Sequence, residues 1–166
     1  MKFEARVWKF PANINTDLIL PSGSIYMSLA EQVKLVFRAN RPGWVDEVRP
    51  GDIIVADRNF GLGSSRPASR SLKSLGISCL IAESINGLFF RNCVAYAFPA
   101  MQCPGVYNLF EEGDVALVNF LDGTIRNTRT SQTLTAKVLP AKLLDLLDAG
   151  GVYPLLERQG IIEPQT

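Results

Sequence analysis

Apolar and polar positions alternate from Phe3 to Phe10, with Phe3, Ala5 and Val7 set against Glu4, Arg6 and Lys9, and this predicts a half-buried strand. Pro11-Ala12-Asn13 turns the chain, and Asn15-Thr16-Asp17 forms a polar patch ahead of Leu18-Ile19-Leu20. Pro21-Ser22-Gly23-Ser24 opens a loop. Ser28, with Glu31 three residues on, makes a capping box and predicts a helix to about Phe37, which Asn40-Arg41-Pro42-Gly43 breaks. Short β-branched or apolar runs at Asp52–Ala56 and Ile77–Ala82 predict buried strands. Ala68, Leu72 and Leu75 recur at helical spacing between them, and Gly76 stops that helix. A helix over Asn86–Tyr96 and a short strand over Phe98–Gln102 follow. Beyond them, Val115–Asn119 and Thr124–Arg126 are strands around the hairpin signal Asp122-Gly123. Thr133–Leu139 is another strand, and helices are expected over Pro140–Ala149 and Val152–Arg158, separated by Gly150-Gly151. The pattern predicts one mixed α/β domain over 1–166, with strand pairs at its ends and a βαβ-like centre.

Composition narrows the function classes. With 166 residues, 47% of them hydrophobic and 20% charged, the chain can bury a core. The net charge of +1 implies no bulk attraction to nucleic acid or to an anionic membrane. No apolar run is long enough to span a bilayer, and the charged start Met1-Lys2-Phe3-Glu4-Ala5-Arg6 is unlike a signal peptide, so a cytoplasmic protein is expected. Cys79, Cys93 and Cys103 are widely spaced, which speaks against zinc, iron–sulfur or disulfide frameworks and for buried free thiols. There is no histidine, so a self-contained hydrolase triad or a histidine-bound metal is excluded. Acid–base chemistry must then use serine, carboxylate, lysine or tyrosine, or another chain.

Chemistry concentrates in Asn59-Phe60-Gly61-Leu62-Gly63-Ser64-Ser65-Arg66-Pro67. A strand, a glycine-rich turn and a helix together aim backbone N–H groups at an anion. Gly61 and Gly63 permit positive φ, and Pro67 suits the first helical position, which would put Arg66 at the cap with its guanidinium free for a carboxylate. The spacing matches neither the dinucleotide fingerprint nor the P-loop. From the residues alone, an anion site and a plain glycine turn whose serines cap the helix both stand.

The stretches GDIIVADRNFGLGSSR and LKSLGISCLIAESINGLFFRN resemble the aconitase family, in particular its swivelling C-terminal domain and the small subunits of 3-isopropylmalate dehydratase. VWKFPANINTDLILP is similar to that family's opening segment, and LLDAGGVYPLLERQG to its closing one, so the likeness covers nearly the whole chain in order. It implies a swivelling β/β/α domain of the aconitase C-terminal type and a hydro-lyase acting on a hydroxy dicarboxylic acid. It also implies a large partner subunit that carries a [4Fe–4S] cluster, with no cofactor on this chain. By resemblance, Ser64 is the serine whose alkoxide removes the proton next to a carboxylate. Ser65 and Gly63 bind substrate, and Arg66 holds a substrate carboxylate. A helix N-terminus beside an arginine stabilises such an alkoxide without histidine.

Two departures qualify this. The family loop reads GCGSSREH or GEGSSREH, whereas Leu62 and Pro67-Ala68 stand here, and an altered substrate, an altered subunit interface and lost activity all remain open. A substrate loop is expected over about 22–50, ordering on closure. There Ser24-Ile25-Tyr26-Met27-Ser28 offers no cation for a distal carboxylate, so Tyr26 and Met27 suit an apolar substituent, unless they simply pack on the core. Isopropylmalate isomerisation in leucine biosynthesis is the leading expectation. A methyl- or dimethylmalate and a non-catalytic acid-binding or assembly module are the alternatives, and self-association of the isolated chain stays open. Thr16 and Asp17 are expected to organise the loop, Arg91-Asn92 to make a structural ion pair or else to support the site from behind, and Trp8 and Trp44 to lie in the core or an interface.

Overall fold

The computed structural model describes residues 1–164. One seven-stranded mixed sheet is built from β1 (Lys2–Phe10), β2 (Ile53–Ala56), β3 (Cys79–Ala82), β4 (Ala100–Gln102), β5 (Val115–Asn119), β6 (Thr124–Asn127) and β7 (Thr133–Thr135), in the order β4-β3-β2-β1-β5-β6-β7. The long first strand serves both halves. Val7–Phe10 pairs in parallel with β2, and Lys2–Arg6 pairs antiparallel with β5. The βαβ centre is as expected, but β1 is central rather than part of a terminal pair, because its two ends hydrogen-bond different neighbours.

Alternate side chains of the central strands feed two cores. Trp8, Phe10, Ile54, Ala56 and Leu80 face one, against α1 (Thr16–Ile19), α3 (Trp44–Glu47), α4 (Ala68–Ser74) and α5 (Gly87–Ala95). Val7, Ile53, Val55, Cys79 and Ile81 face the other, where α6 (Val106–Leu109) and Leu144 of α7 (Ala141–Ala149) pack. A last helix, α8, spans Val152–Arg158. Trp8 and Trp44 are core residues, edge-to-face at 5.9 Å.

Buried Asp52 accepts from Arg6 Nη2 at 2.6 Å, Trp8 Nε1 at 2.7 Å and the Arg49 N–H at 2.9 Å, which closes the N-terminal end of β2. Burial works against its charge, but these donors outweigh that and hold the carboxyl below its ordinary range. At the start of β5, Asp114 is held well below that range, first by Arg129.

Some expected elements differ. The capping box is present, with Glu31 N–H on Ser28 Oγ and Ser28 N–H on Glu31 Oε2, yet α2 covers only Leu29–Val33. The chain leaves the helix because Phe37, at φ +54°, turns in to stack on Phe10 at 4.1 Å. The strand expected over Thr133–Leu139 stops at Thr135. Three short helices, α1, α3 and α6, form where no periodicity could announce a single turn.

Candidate active site

Three crossovers leave the carboxyl ends of β1, β2 and β3 side by side, where open α/β sheets place their ligands. They are stitched together by backbone hydrogen bonds. Asn13 N–H donates to Arg58 O at 2.8 Å, Gly61 N–H to Ile14 O at 2.7 Å and Thr16 N–H to Leu62 O at 2.6 Å. On the other flank Phe60 N–H donates to Ser84 O at 3.1 Å and Asn86 N–H to Phe60 O at 2.8 Å. Asn13 and Asn59 are both left-handed and bonded to each other through their amides at 2.8 Å. The glycine loop is therefore a wedge clamped on both sides. Gly61, at φ +81°, lies so close to Phe89 that any Cβ would enter that ring.

Ser64 and Ser65 sit at the exposed tip, and neither hydroxyl has a hydrogen-bond partner among the described residues. The backbone N–H groups of Gly63, Ser64 and Ser65 are likewise unpaired there, while Arg66 N–H donates to Ser64 O at 2.9 Å and tightens the turn. The next helix begins at Ala68, and Pro67 occupies the cap without a side-chain bond. That places the start one residue later than expected, because Pro67 has ψ +38° rather than a helical value. Ala68 is wholly buried in the core, so the helix start is held by apolar contact.

Arg66 is not free, contrary to expectation. Its Nη1 donates to the Asp17 carboxylate and, at 2.9 Å, to Leu20 O, so its side chain is only 13% exposed. Nε and Nη2 have no partner among the described residues, which leaves one edge of the fork for an incoming carboxylate. Asn92 Nδ2 donates to Arg66 O at 3.1 Å. Thr16 and Asp17 thus organise the loop as expected, and Asn92 supports it. Arg91 makes no ion pair among the described residues, contrary to expectation.

Tyr26 and Met27 end a 3-10 turn, Ser22–Tyr26, and stand outward, Tyr26 at 89% exposure, so packing on the core is excluded for them. No hydrogen bond links them to the Ser64 loop. Gln32 holds their turn. Its Nε2 donates to Ser24 O and Met27 O, both at 3.1 Å, and its Oε1 accepts from Ser71 of α4 at 3.4 Å. One buried amide therefore couples the apolar turn to the helix behind the serines, and only a polar residue within an apolar stripe hinted at it.

The three thiols do not make a ligand set. Cys93 lies in one core and Cys79 and Cys103 in the other, all are buried, and burial pushes their pKa values up. Among the described residues no group of three or more cysteine or carboxylate side chains is placed to hold a metal, and no helix is long and apolar enough to cross a membrane.

Comparison with known proteins finds relatives along nearly the whole chain and a solved structure of the same fold. A profile of the aconitase C-terminal domain matches residues 31–103. The chain is 43% identical to the 3-isopropylmalate dehydratase small subunit of Heliobacterium modesticaldum, over 92% of this chain and 93% of that one. It is 40% identical to the isopropylmalate/citramalate isomerase small subunit of Methanocaldococcus jannaschii, over 94% of each. A crystal structure of 3-isopropylmalate dehydratase from Methanocaldococcus jannaschii superposes with a TM-score of 0.91 at 26% identity, covering 98% of both chains.

Proposed function

The chain belongs to the small-subunit family of 3-isopropylmalate dehydratase, built on an aconitase C-terminal domain, and from that premise we propose that it completes an active site for the reversible dehydration of isopropylmalate. The observation that carries the reading is one loop presenting a serine hydroxyl, three unpaired backbone N–H groups and the open edge of an anchored guanidinium.

In this reading Ser64, as the alkoxide, takes the proton from the carbon next to a substrate carboxylate. The electron pair of that C–H bond becomes the new double bond as the hydroxyl departs from the neighbouring carbon. Rehydration returns a proton from the Ser64 hydroxyl. The unpaired N–H groups of Gly63–Ser65 stabilise negative charge on the reacting oxygens. Arg66 binds a carboxylate through its Nε–Nη2 edge while Asp17 and Leu20 hold Nη1. Ser65 adds a neutral hydrogen bond. A [4Fe–4S] cluster on the large subunit would bind the departing hydroxyl. The residues of this chain do not fit a cluster, so none is assigned to it.

The outward Ile25-Tyr26-Met27 turn would cover the substituent of the malate, and its apolar character suits an isopropyl or a methyl group better than a carboxylate. Citramalate is the second reading, favoured by the name of the archaeal relative.

The test is co-expression with a cluster-binding large subunit and anaerobic assay. Ser64→Ala should cut turnover about 10²–10⁴-fold, the usual contribution of a general base, with substrate affinity within a few-fold. Near-normal turnover in that variant would leave a binding or assembly role.

A further inference from the structure

Thr16 is the first residue of α1 and is 2% exposed, yet its hydroxyl oxygen is fully buried and has no hydrogen-bond partner. Buried hydroxyls in helices usually donate to a carbonyl one turn back, but at a first helical position there is no such turn. An orphan of this kind is costly and calls for a reason. The hydroxyl faces the glycine loop. A methyl built on Gly63 would lie 3.0 Å from Thr16 Oγ1, with Gly63 at φ +108°. Thr16 N–H is already bonded to Leu62 O, so the two backbones cannot separate without breaking that bond. Gly63 O accepts no hydrogen bond among the described residues.

We propose that Thr16 is a positioning residue whose hydroxyl donates to the Gly63 carbonyl in the catalytically closed state. A trans peptide points its C=O and its N–H in opposite directions. Drawing the Gly63 carbonyl inward onto Thr16 therefore turns the Ser64 N–H outward, toward the substrate side, and sets the direction of the Ser64 side chain. Only glycine at 63 can make that rotation without a steric penalty. In the resting subunit the Gly63 carbonyl accepts no hydrogen bond among the described residues, and the hydroxyl waits unpaired. The inference rests on the reading of Ser64 as the base.

Three variants, Thr16→Val, Thr16→Ser and Ser64→Ala, would be assayed in the assembled two-subunit enzyme with isopropylmalate, and the melting temperature of each isolated small subunit measured. Thr16→Val keeps the shape and removes the orphan. It should lower kcat about tenfold or more, one hydrogen bond in the transition state, with KM within about twofold. The same variant should leave melting unchanged or raise it by about 2–4 °C. Thr16→Ser should restore kcat to within about threefold. The inference is overturned if Thr16→Val keeps wild-type kcat, if Thr16→Ser is as impaired as Thr16→Val, or if Thr16→Val loses activity together with a lowered melting temperature. Full activity in Ser64→Ala would instead overturn the reading beneath it, whereas an inactive Ser64→Ala beside an active Thr16→Val sinks the role of Thr16 alone.

Discussion

Arg66 shows how one side chain can be both structural and poised. Its Nη1 is committed to Asp17 and Leu20 O, and the opposite edge is open. Replacing it with lysine removes the planar fork, so Arg66→Lys in the assembled enzyme should raise KM roughly tenfold to a hundredfold, the value of a lost charge-assisted pair. Asp17→Asn should act in the same direction but more weakly, about threefold, because the guanidinium survives and loses only its orientation. Steady-state kinetics of the two variants check the order, and a larger KM effect at Asp17 than at Arg66 would mean that Asp17 itself contacts substrate. The departures at Leu62 and Pro67-Ala68 are easier to place with the structure in hand. Leu62 contributes its backbone carbonyl to Thr16, and Ala68 is buried in the core.

At the scale of the element, the loop after β2 depends on a close approach that only glycine allows. Gly61→Ala adds both a left-handed strain and a collision with Phe89, a buried ring with nowhere to go. It should cost about 2–5 kcal/mol in urea unfolding. Gly113, at φ +91° before β5, has open space around its Cβ position, so Gly113→Ala should cost only the backbone strain, about 1–2 kcal/mol. Equal losses at the two positions would show that φ alone matters at Gly61. The contrast isolates packing from conformation, because both glycines are left-handed.

Across the whole molecule, acid sensitivity should come from carboxylates that tie distant segments together. Asp52, just before β2, ties to β1 through Arg6 and Trp8 and to the turn after α3 through the Arg49 N–H. Its folded pKa lies below the unfolded value of about 3.9, so the stabilisation is complete above that pH and is lost as pH falls through the folded value. Asp52→Asn should therefore cost about 1–3 kcal/mol at pH 7, and the gap to wild type should narrow below about pH 4. Urea unfolding of both proteins at pH 7, 5 and 3.5 measures it. A difference that does not change with pH would assign the effect to packing rather than to charge.

Periodicity and punctuation sufficed for much of this protein. The alternation of Phe3, Ala5 and Val7, the β-branched run before Ala56, the Ser28–Glu31 box and the Asp122-Gly123 turn each act within a few residues, so local propensity and solvent preference decide them. The ordered motifs carried the family and marked Ser64, Ser65 and Arg66. Long-range contacts decided the rest. That β1 bridges a parallel and an antiparallel half depends on which partners reach its two ends. Phe37 ends its helix early because Phe10, far away in sequence, offers a face to stack on. The tether of Arg66 to Asp17, the span of Gln32 to Ser71 and the unpaired hydroxyl of Thr16 against Gly63 all join separate crossovers. A hydrogen bond between residues dozens of positions apart leaves no period in the chain, so only the folded arrangement of the strand ends could bring these groups together.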